Sequence, residues 1–508
     1  MSESALPPSQ ESVWPHTTKL VASTGPVHSE RVLGSIIALG SGELLTRIVG
    51  FIGTLYLARR LGPEGFGIVA FAGALSVYIF LPVVSSLNSL GARGVARRPL
   101  EAPAIALGGS LLRLALGLFA LAIIGGIACV LPKPATVKLV LVLTGLSFFS
   151  LALDTSWVLK GLERNRLAGF GQVVGQVLYV GAMLAVVQTP ADVVWVPLTQ
   201  FGGELGAAVL LAFFTFPRRR VKLRLREDWR SAKTAGFLIL TRLLRTLLFT
   251  FDLLLLGFLL GERDVGLYAV PYRFCFLLVA AAAVIHISYL PAFTRACAGG
   301  RRELADLAGR SAQLSSAIGA PIVIGGIVLA APLLETFFGP EYLEAATAFQ
   351  LLLLSIGFYF TYGVIANILL ATDRLKLETR IMAVAAALNL GLNVILIPRY
   401  RLVGAAAATV VSEGLIVTLG LLTVYRLGVR LDFRPALRPL ALAGLMGAVL
   451  FLLGPDAPLA LSVPGGAAIY VLGLMVSGSV PKDAAPQLQM LGTLVNKCLG
   501  KLKGRTVR

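Results

Sequence analysis

Charge is scarce in this chain: 14% of its 508 residues are Asp, Glu, Lys or Arg, against 56% hydrophobic residues. Ordinary globular domains carry about 25% charged residues, so that class is excluded. Only three histidines and four cysteines are present, the latter being Cys129, Cys275, Cys297 and Cys498. With so few, neither a metal-ligand spacing nor a disulfide framework is found. A phosphate-binding P-loop, a nucleophile elbow and a soluble domain are also missing. Outer loops reach only about ten residues, too short to house the catalytic acids of a membrane glycosyltransferase or polymerase. These absences favour transport over covalent chemistry, and no cofactor is expected.

Long apolar runs are what the chain has. Mean hydropathy is +0.83, and windows near twenty residues recur along nearly the whole length, each long enough to cross a hydrocarbon core of about 30 Å as a helix. The runs do not alternate polar and apolar, which excludes a barrel. An all-α integral membrane protein with about fourteen transmembrane helices is predicted, the first near 32–57 and the last near 459–476. Residues 1–30, rich in Ser and Pro, read as a disordered cytoplasmic tail without the pattern of a cleavable signal, so the first span is expected to act as an uncleaved insertion signal. A first six-helix half is expected over 31–217, a basic linker over 218–233, a second half over 234–430, two further helices over 431–480 and a basic tail over 481–508.

Basic residues orient these spans, because short cytoplasmic loops retain Lys and Arg. With both termini inside, 33 of the 45 basic residues fall on the cytoplasmic side, seven outside and five within spans. The net charge of +19 is therefore mostly an orientation signal. The densest cluster, "RRRVKLRLREDWRSAK" from Arg218 to Lys233, joins two spans and lacks a domain to present it. It reads as an anchor that meets anionic lipid, and no nucleic acid partner is expected.

One helix break is written twice. Gly62 and Gly67 in "LARRLGPEGFG" match Gly261 and Gly266 in "LLGERDVGLYA" at a constant offset of 199, and Glu204 and Glu413 stand 209 apart in the sixth and twelfth spans. Six spans repeated in the same orientation make a parallel repeat about an axis along the membrane normal, with a cavity between halves suited to alternating access. Gly and Pro end each helix, while Leu61 with Phe66, and Leu260 with Leu267, are expected to pin the turns at the membrane interface.

Ionisable groups inside spans cost roughly 2.5–3.5 kcal/mol each at a helix centre, so they face a protein interior or a wet cavity. Five cations qualify: Arg47, Arg113, Arg242, Arg245 and Arg273. Six acids qualify: Glu43, Asp154, Glu204, Asp252, Glu335 and Glu413. Glu43 and Arg47 share a helical face, as do Arg242, Arg245 and Asp252. Each set is read either as a structural ion pair or as part of a cationic cavity in which Arg47 faces Arg242 or Arg245. Arg113 and Arg273 have no acid one turn away and are assigned to the cavity. Arginine suits phosphate there, since its planar fork donates bidentate hydrogen bonds. Glu43, Glu204, Asp252 and Glu413 are candidates for ion coupling, and Asp154 and Glu335 are expected to reach the interface. His286 reads as a packing residue. Gln172 with Gln176, and Asn389 with Asn393, read as interhelical glue.

Certain stretches resemble a known family. "ELLTRIVGFIGTLYLARRLGPEGFGIVAFAGAL", "FDLLLLGFLLGERDVGLYAVPYRF" followed by "YLPAFTRA", and "GAAAATVVSEGLIVTLGLLTVYR" are similar to the first, seventh to eighth and twelfth spans of bacterial polysaccharide (O-antigen type) flippases. These belong to the multidrug, oligosaccharidyl-lipid and polysaccharide exporter superfamily, and the resemblance covers nearly all of 31–430. It implies a carrier that moves an undecaprenyl-diphosphate-linked oligosaccharide from the inner to the outer leaflet of the cytoplasmic membrane. It implies too that Arg47, Arg242, Arg245 and Arg273 hold the diphosphate and sugar acids, and that a polysaccharide polymerase and glycosyltransferases are partners. The fourteen spans are also similar to the lipid II flippases, whose characteristic first-span arrangement is absent here. A multidrug or organic cation antiporter is disfavoured by the arginines, and a non-transporting scaffold of a synthase complex would not need the buried charge.

Overall fold

A computed structural model describes residues 26–216, 230–454 and 457–478, with no strand among them. Residues 1–25 of the tail expected over 1–30, the whole tail expected over 481–508 and most of the basic linker lie outside the described residues, while 26–30, expected to be disordered, belong to the first helix. Among the described residues eleven helices are long and apolar enough to cross a membrane, which bears out the all-α membrane class, whereas the hydropathy predicts about fourteen spans.

The first half begins with α1 (Pro26–Arg97) and α2 (Ala102–Val130). The next apolar span, Ala135–Gly161, is divided into α3 (Ala135–Thr144), α4 (Ser147–Leu153) and α5 (Ser156–Gly161), and α6 (Asn165–Val186) and α7 (Trp195–Thr215) follow. The second half comprises α8 (Arg230–Leu259), α9 (Glu262–Gly299), α10 (Arg301–Val328), α11 (Ala330–Phe338), α12 (Ala346–Ala371) and α13 (Leu375–Arg426). Two helices, α14 (Arg434–Leu453) and α15 (Leu459–Val476), complete the chain's described part.

Two of these helices reverse within themselves. In α1 the break is Gly62, at φ 66° and ψ 179°, a conformation open to glycine and followed by Pro63, which cannot donate a backbone hydrogen bond. In α13 the break is Arg401, at φ 52°, where a side chain costs about 1–3 kcal/mol. The Arg401 guanidinium offsets that strain through ion pairs with Asp264 at 2.8 Å and Glu344 at 3.2 Å.

The repeated turns do more than reverse the chain. Gly67 packs so tightly on the Glu262 carbonyl that no Cβ would fit, and Gly266 packs in the same way on the Pro63 carbonyl. Gly67 and Gly266 are 199 positions apart, and so are Pro63 and Glu262. The two copies therefore interlock symmetrically, backbone against backbone. Leu61, Phe66 and Leu267 are buried in this contact rather than set at the membrane interface, which corrects the sequence expectation: the turns grip each other, and their apolar side chains fill the joint.

A single apolar core runs through the joint and recruits both halves, from Leu57 and Phe71 to Tyr268, Phe338 and Phe349. At the opposite end the cores are separate. Tyr289, Phe293, Leu304 and Ile368 form one within the second half, and Val95, Ala106, Trp157 and Val158 form another within the first. The halves are thus fused at the end bearing the turns, and between them a cavity extends toward the other end.

Candidate functional site

The cavity has a volume of about 1050 Å³ and is lined from both halves. Arg47 enters it from α1 and Arg273 from α9, each side chain exposed to the open space. Phe51, one turn beyond Arg47, meets Phe274 edge-on at 5.6 Å between ring centroids, which brings the two arginine-bearing helices together. An arginine from each half in one cavity is the arrangement expected from the sequence, and among the described side chains the second-half member is Arg273, not Arg245.

Arg245 is not part of the cavity lining. It pairs with Glu378 at 3.6 Å, an acid that the sequence reading did not single out because it sits in the first turn of α13. The side chains of Glu43 and Arg242 lie outside the described residues.

Arg113 corrects a second expectation. It is fully buried in the first half, not at the cavity. Its guanidinium donates to Asn88 Oδ1 at 2.6 Å and to the backbone carbonyls of Asp154 at 3.1 Å and Leu151 at 3.4 Å, and lies 5.2 Å from the centre of the Trp157 ring. Those carbonyls are available because the chain between α4 and α5 leaves the helix ladder. Asp154 stabilises the same break by accepting from the Ser156 backbone N–H at 2.9 Å and from its hydroxyl at 2.7 Å.

The acids divide similarly. Glu204 lines the cavity, where its carboxylate accepts from Ser150 Oγ at 2.7 Å and Gln200 Nε2 at 2.9 Å. Asp252 is buried and, among the described side chains, pairs with no arginine: it accepts from the Tyr268 hydroxyl at 2.5 Å and from the Leu253 N–H at 2.9 Å. Of the two expected pairings with Asp252, that of Arg245 is replaced by Arg245 to Glu378, and that of Arg242 falls on a side chain outside the described residues. Glu413 is buried in the second half, in electrostatic range of Arg245, so repeat-related Glu204 and Glu413 occupy unlike surroundings. Glu335 is exposed, as expected near a span end.

Gln172 and Gln176 line the cavity, with the Gln176 amide against Gly50 of α1, and Asn393 donates to Asn389 on its own helix at 2.9 Å. His286 is buried, its ring seated against Gly363, in keeping with a packing residue. Tyr179 was missed by sequence reasoning, yet it lines the cavity in electrostatic range of both Arg273 and Glu204. A tyrosine in an apolar span carries no signal that distinguishes a cavity wall from a core.

Comparison with known proteins agrees with this architecture. A family model described as polysaccharide biosynthesis protein matches residues 32–297, and one described as MatE matches 238–395. An uncharacterised membrane protein of Methanocaldococcus jannaschii is 36% identical over 78 residues, 15% of this chain and 15% of that protein's length. Among solved structures, a lipid II flippase MurJ in an inward closed conformation is similar at a TM-score of 0.70 and 15% identity, covering 87% of this chain and 98% of that one. An inward-facing multidrug resistance MATE family transporter of the MOP superfamily is similar at a TM-score of 0.57 and 15% identity, over 78% and 99% of the two chains. A MOP superfamily transporter from Pyrococcus furiosus is similar at 0.54 and 14% identity, over 78% and 96%. At such identities the likeness is one of fold.

Proposed function

The chain belongs to the polysaccharide biosynthesis protein family, and from that premise we propose that it is a flippase of the cytoplasmic membrane, carrying an undecaprenyl-diphosphate-linked oligosaccharide from the inner to the outer leaflet by alternating access. The observation that carries this reading is a pair of arginines, Arg47 and Arg273, presented from opposite halves into one cavity closed at the end bearing the turns. Two guanidinium forks facing one space suit a diphosphate, whose oxygens accept paired N–H donors. Dividing α1 at Gly62 and α13 at Arg401, and counting α8, gives fourteen crossings, an even number that leaves both termini on the cytoplasmic side favoured by the basic residues. The open end of the cavity then faces the cytoplasm, where lipid-linked precursors are assembled.

The likeness to a lipid II flippase over 87% of this chain supports a second reading, in which the cargo is lipid II. Both cargoes present a polyprenyl diphosphate, so the arginines serve either one. Reconstitution into liposomes with a defined polyprenyl-diphosphate oligosaccharide tests the common claim. Wild type is expected to expose the glycan on the opposite leaflet, and Arg47→Ala or Arg273→Ala to lower the initial rate at least tenfold. Absence of flipping for every polyprenyl-linked glycan, lipid II included, would reject the function.

A further inference from the structure

The cavity walls are chemically unequal. Arg47 and Arg273 stand on the α1 and α9 side, whereas α6 and α7 contribute three amides, Gln172, Gln176 and Gln200, and one carboxylate, Glu204. Counting along each helix from the end nearest the closed joint, Arg273 is eleven residues from Glu262, Gln176 ten from Val186 and Glu204 nine from Trp195. At about 1.5 Å per residue Arg273, Gln176 and Glu204 lie about 14–17 Å deep, so a cation, an amide and the carboxylate share one level, with Gln200 about one turn nearer the joint and Arg47 and Gln172 one to two turns farther from it. The space they enclose, about 1050 Å³, reaches the upper end of the roughly 300–1,000 Å³ usual for small-molecule sites, so a ligand that fills it meets both walls.

Each amide offers two N–H donors and a carbonyl acceptor without net charge, a set that matches hydroxyl groups, which both donate and accept. Glu204 is fixed by Ser150 and Gln200, and an ionised carboxylate with about four lone-pair sites keeps acceptor capacity toward the cavity. It attracts a hydroxyl or ammonium proton and repels another carboxylate. We infer that the α6 and α7 wall is a carbohydrate subsite that takes a neutral or amino sugar adjoining the diphosphate and discriminates against an acidic sugar at that position. The inference rests on the flippase reading and narrows it, since arginines alone would also welcome sugar acids.

The test uses the full chain in lipid nanodiscs and three probes: bare undecaprenyl diphosphate, the same lipid bearing a neutral disaccharide, and the same lipid bearing a disaccharide whose first sugar is a uronic acid. The neutral glycolipid is expected to bind at least tenfold more tightly than the bare lipid, and the uronic glycolipid no more tightly than the bare lipid. In Glu204→Gln the uronic glycolipid is expected to approach the neutral one. In the double variant Gln176→Leu with Gln200→Leu the neutral glycolipid is expected to fall to the bare lipid's affinity. Equal wild-type affinity for bare and neutral lipids, or tighter binding of the uronic one, would overturn the subsite while leaving the diphosphate carrier intact. If none of the three binds, the flippase reading fails and this inference with it. Should the double variant not fold, the wild-type panel and Glu204→Gln decide.

Discussion

Arg113 and Arg273 are both arginines inside apolar helices, and their surroundings give them opposite work. Arg113 is enclosed by acceptors to which it donates, Asn88 Oδ1 and two carbonyls at the break before α5. Truncating it strands those acceptors, at about 1–3 kcal/mol for each one left unpaired. Arg113→Ala should therefore lower the thermal unfolding midpoint in detergent and reduce membrane abundance. Arg273→Ala, whose side chain opens on the cavity, should leave the midpoint within a degree or two and weaken binding of polyprenyl diphosphate. A stable, abundant Arg113→Ala that fails only in transport would return Arg113 to the site. Hydropathy and charge reveal that an arginine sits in a span, and the cost of placing it there shows that it is served by something. They do not reveal by what. An acid one turn away is visible in the sequence; a backbone carbonyl freed by a helix break 41 residues later is not, and for that reason Arg113 reads as a cavity residue and Glu378 goes unnoticed as the partner of Arg245.

The helix-break repeat is legible at a constant offset because glycine is the residue that turns at positive φ without strain, as at Gly62 and Gly261. The use of the second glycine in each copy is not legible: Gly67 and Gly266 have no side chain to form a pattern, and their role is a close approach of one backbone to another. A methyl group at either position meets a carbonyl oxygen that belongs to the other half, so it cannot be absorbed by a rotamer change. Gly67→Ala and Gly266→Ala should each prevent the halves from closing at this end while leaving each half folded. Labelling from the outside of a cysteine placed at Leu57, buried in the closed joint, is expected to rise severalfold in either variant, with transport lost. Unchanged labelling and normal transport in Gly67→Ala would show that the interlock is incidental.

At the scale of the whole molecule, polar contacts near the closed joint fall into two sets that must behave differently if the halves rock against each other as rigid bodies. One set ties half to half. Lys133 pairs with Glu262 at 2.9 Å, Arg59 donates to the carbonyls of Phe337 and Thr336, and the Tyr342 hydroxyl donates to the Ala58 carbonyl at 3.0 Å. The other set lies within the second half, where Arg401 joins Asp264 and Glu344 and Arg263 joins Glu344 at 3.0 Å. Opening the joint breaks the first set and leaves the second untouched. Lys133 and Glu262 are only 13% and 17% exposed, so solvent screens their pairing less than that of an exposed pair, which is worth about 0–1 kcal/mol. Every 1.4 kcal/mol removed from the closed state alone shifts the equilibrium about tenfold toward the open one. The double variant Lys133→Ala with Arg59→Ala should therefore raise the population open at the joint, read as a longer distance between spin labels placed beside the Gly62 break of α1 and at the start of α9. Arg401→Ala should leave that distance distribution unchanged and instead lower the unfolding midpoint, because it removes the contacts that offset the strained break in α13. The distribution of basic residues carries the proposed orientation, but which end is shut is a property of cross-half contacts to carbonyls and glycines that leave no compositional trace. An Arg401→Ala variant that opened the joint as far as the double variant would mean that the second half deforms during the transition, and rigid rocking would have to be given up.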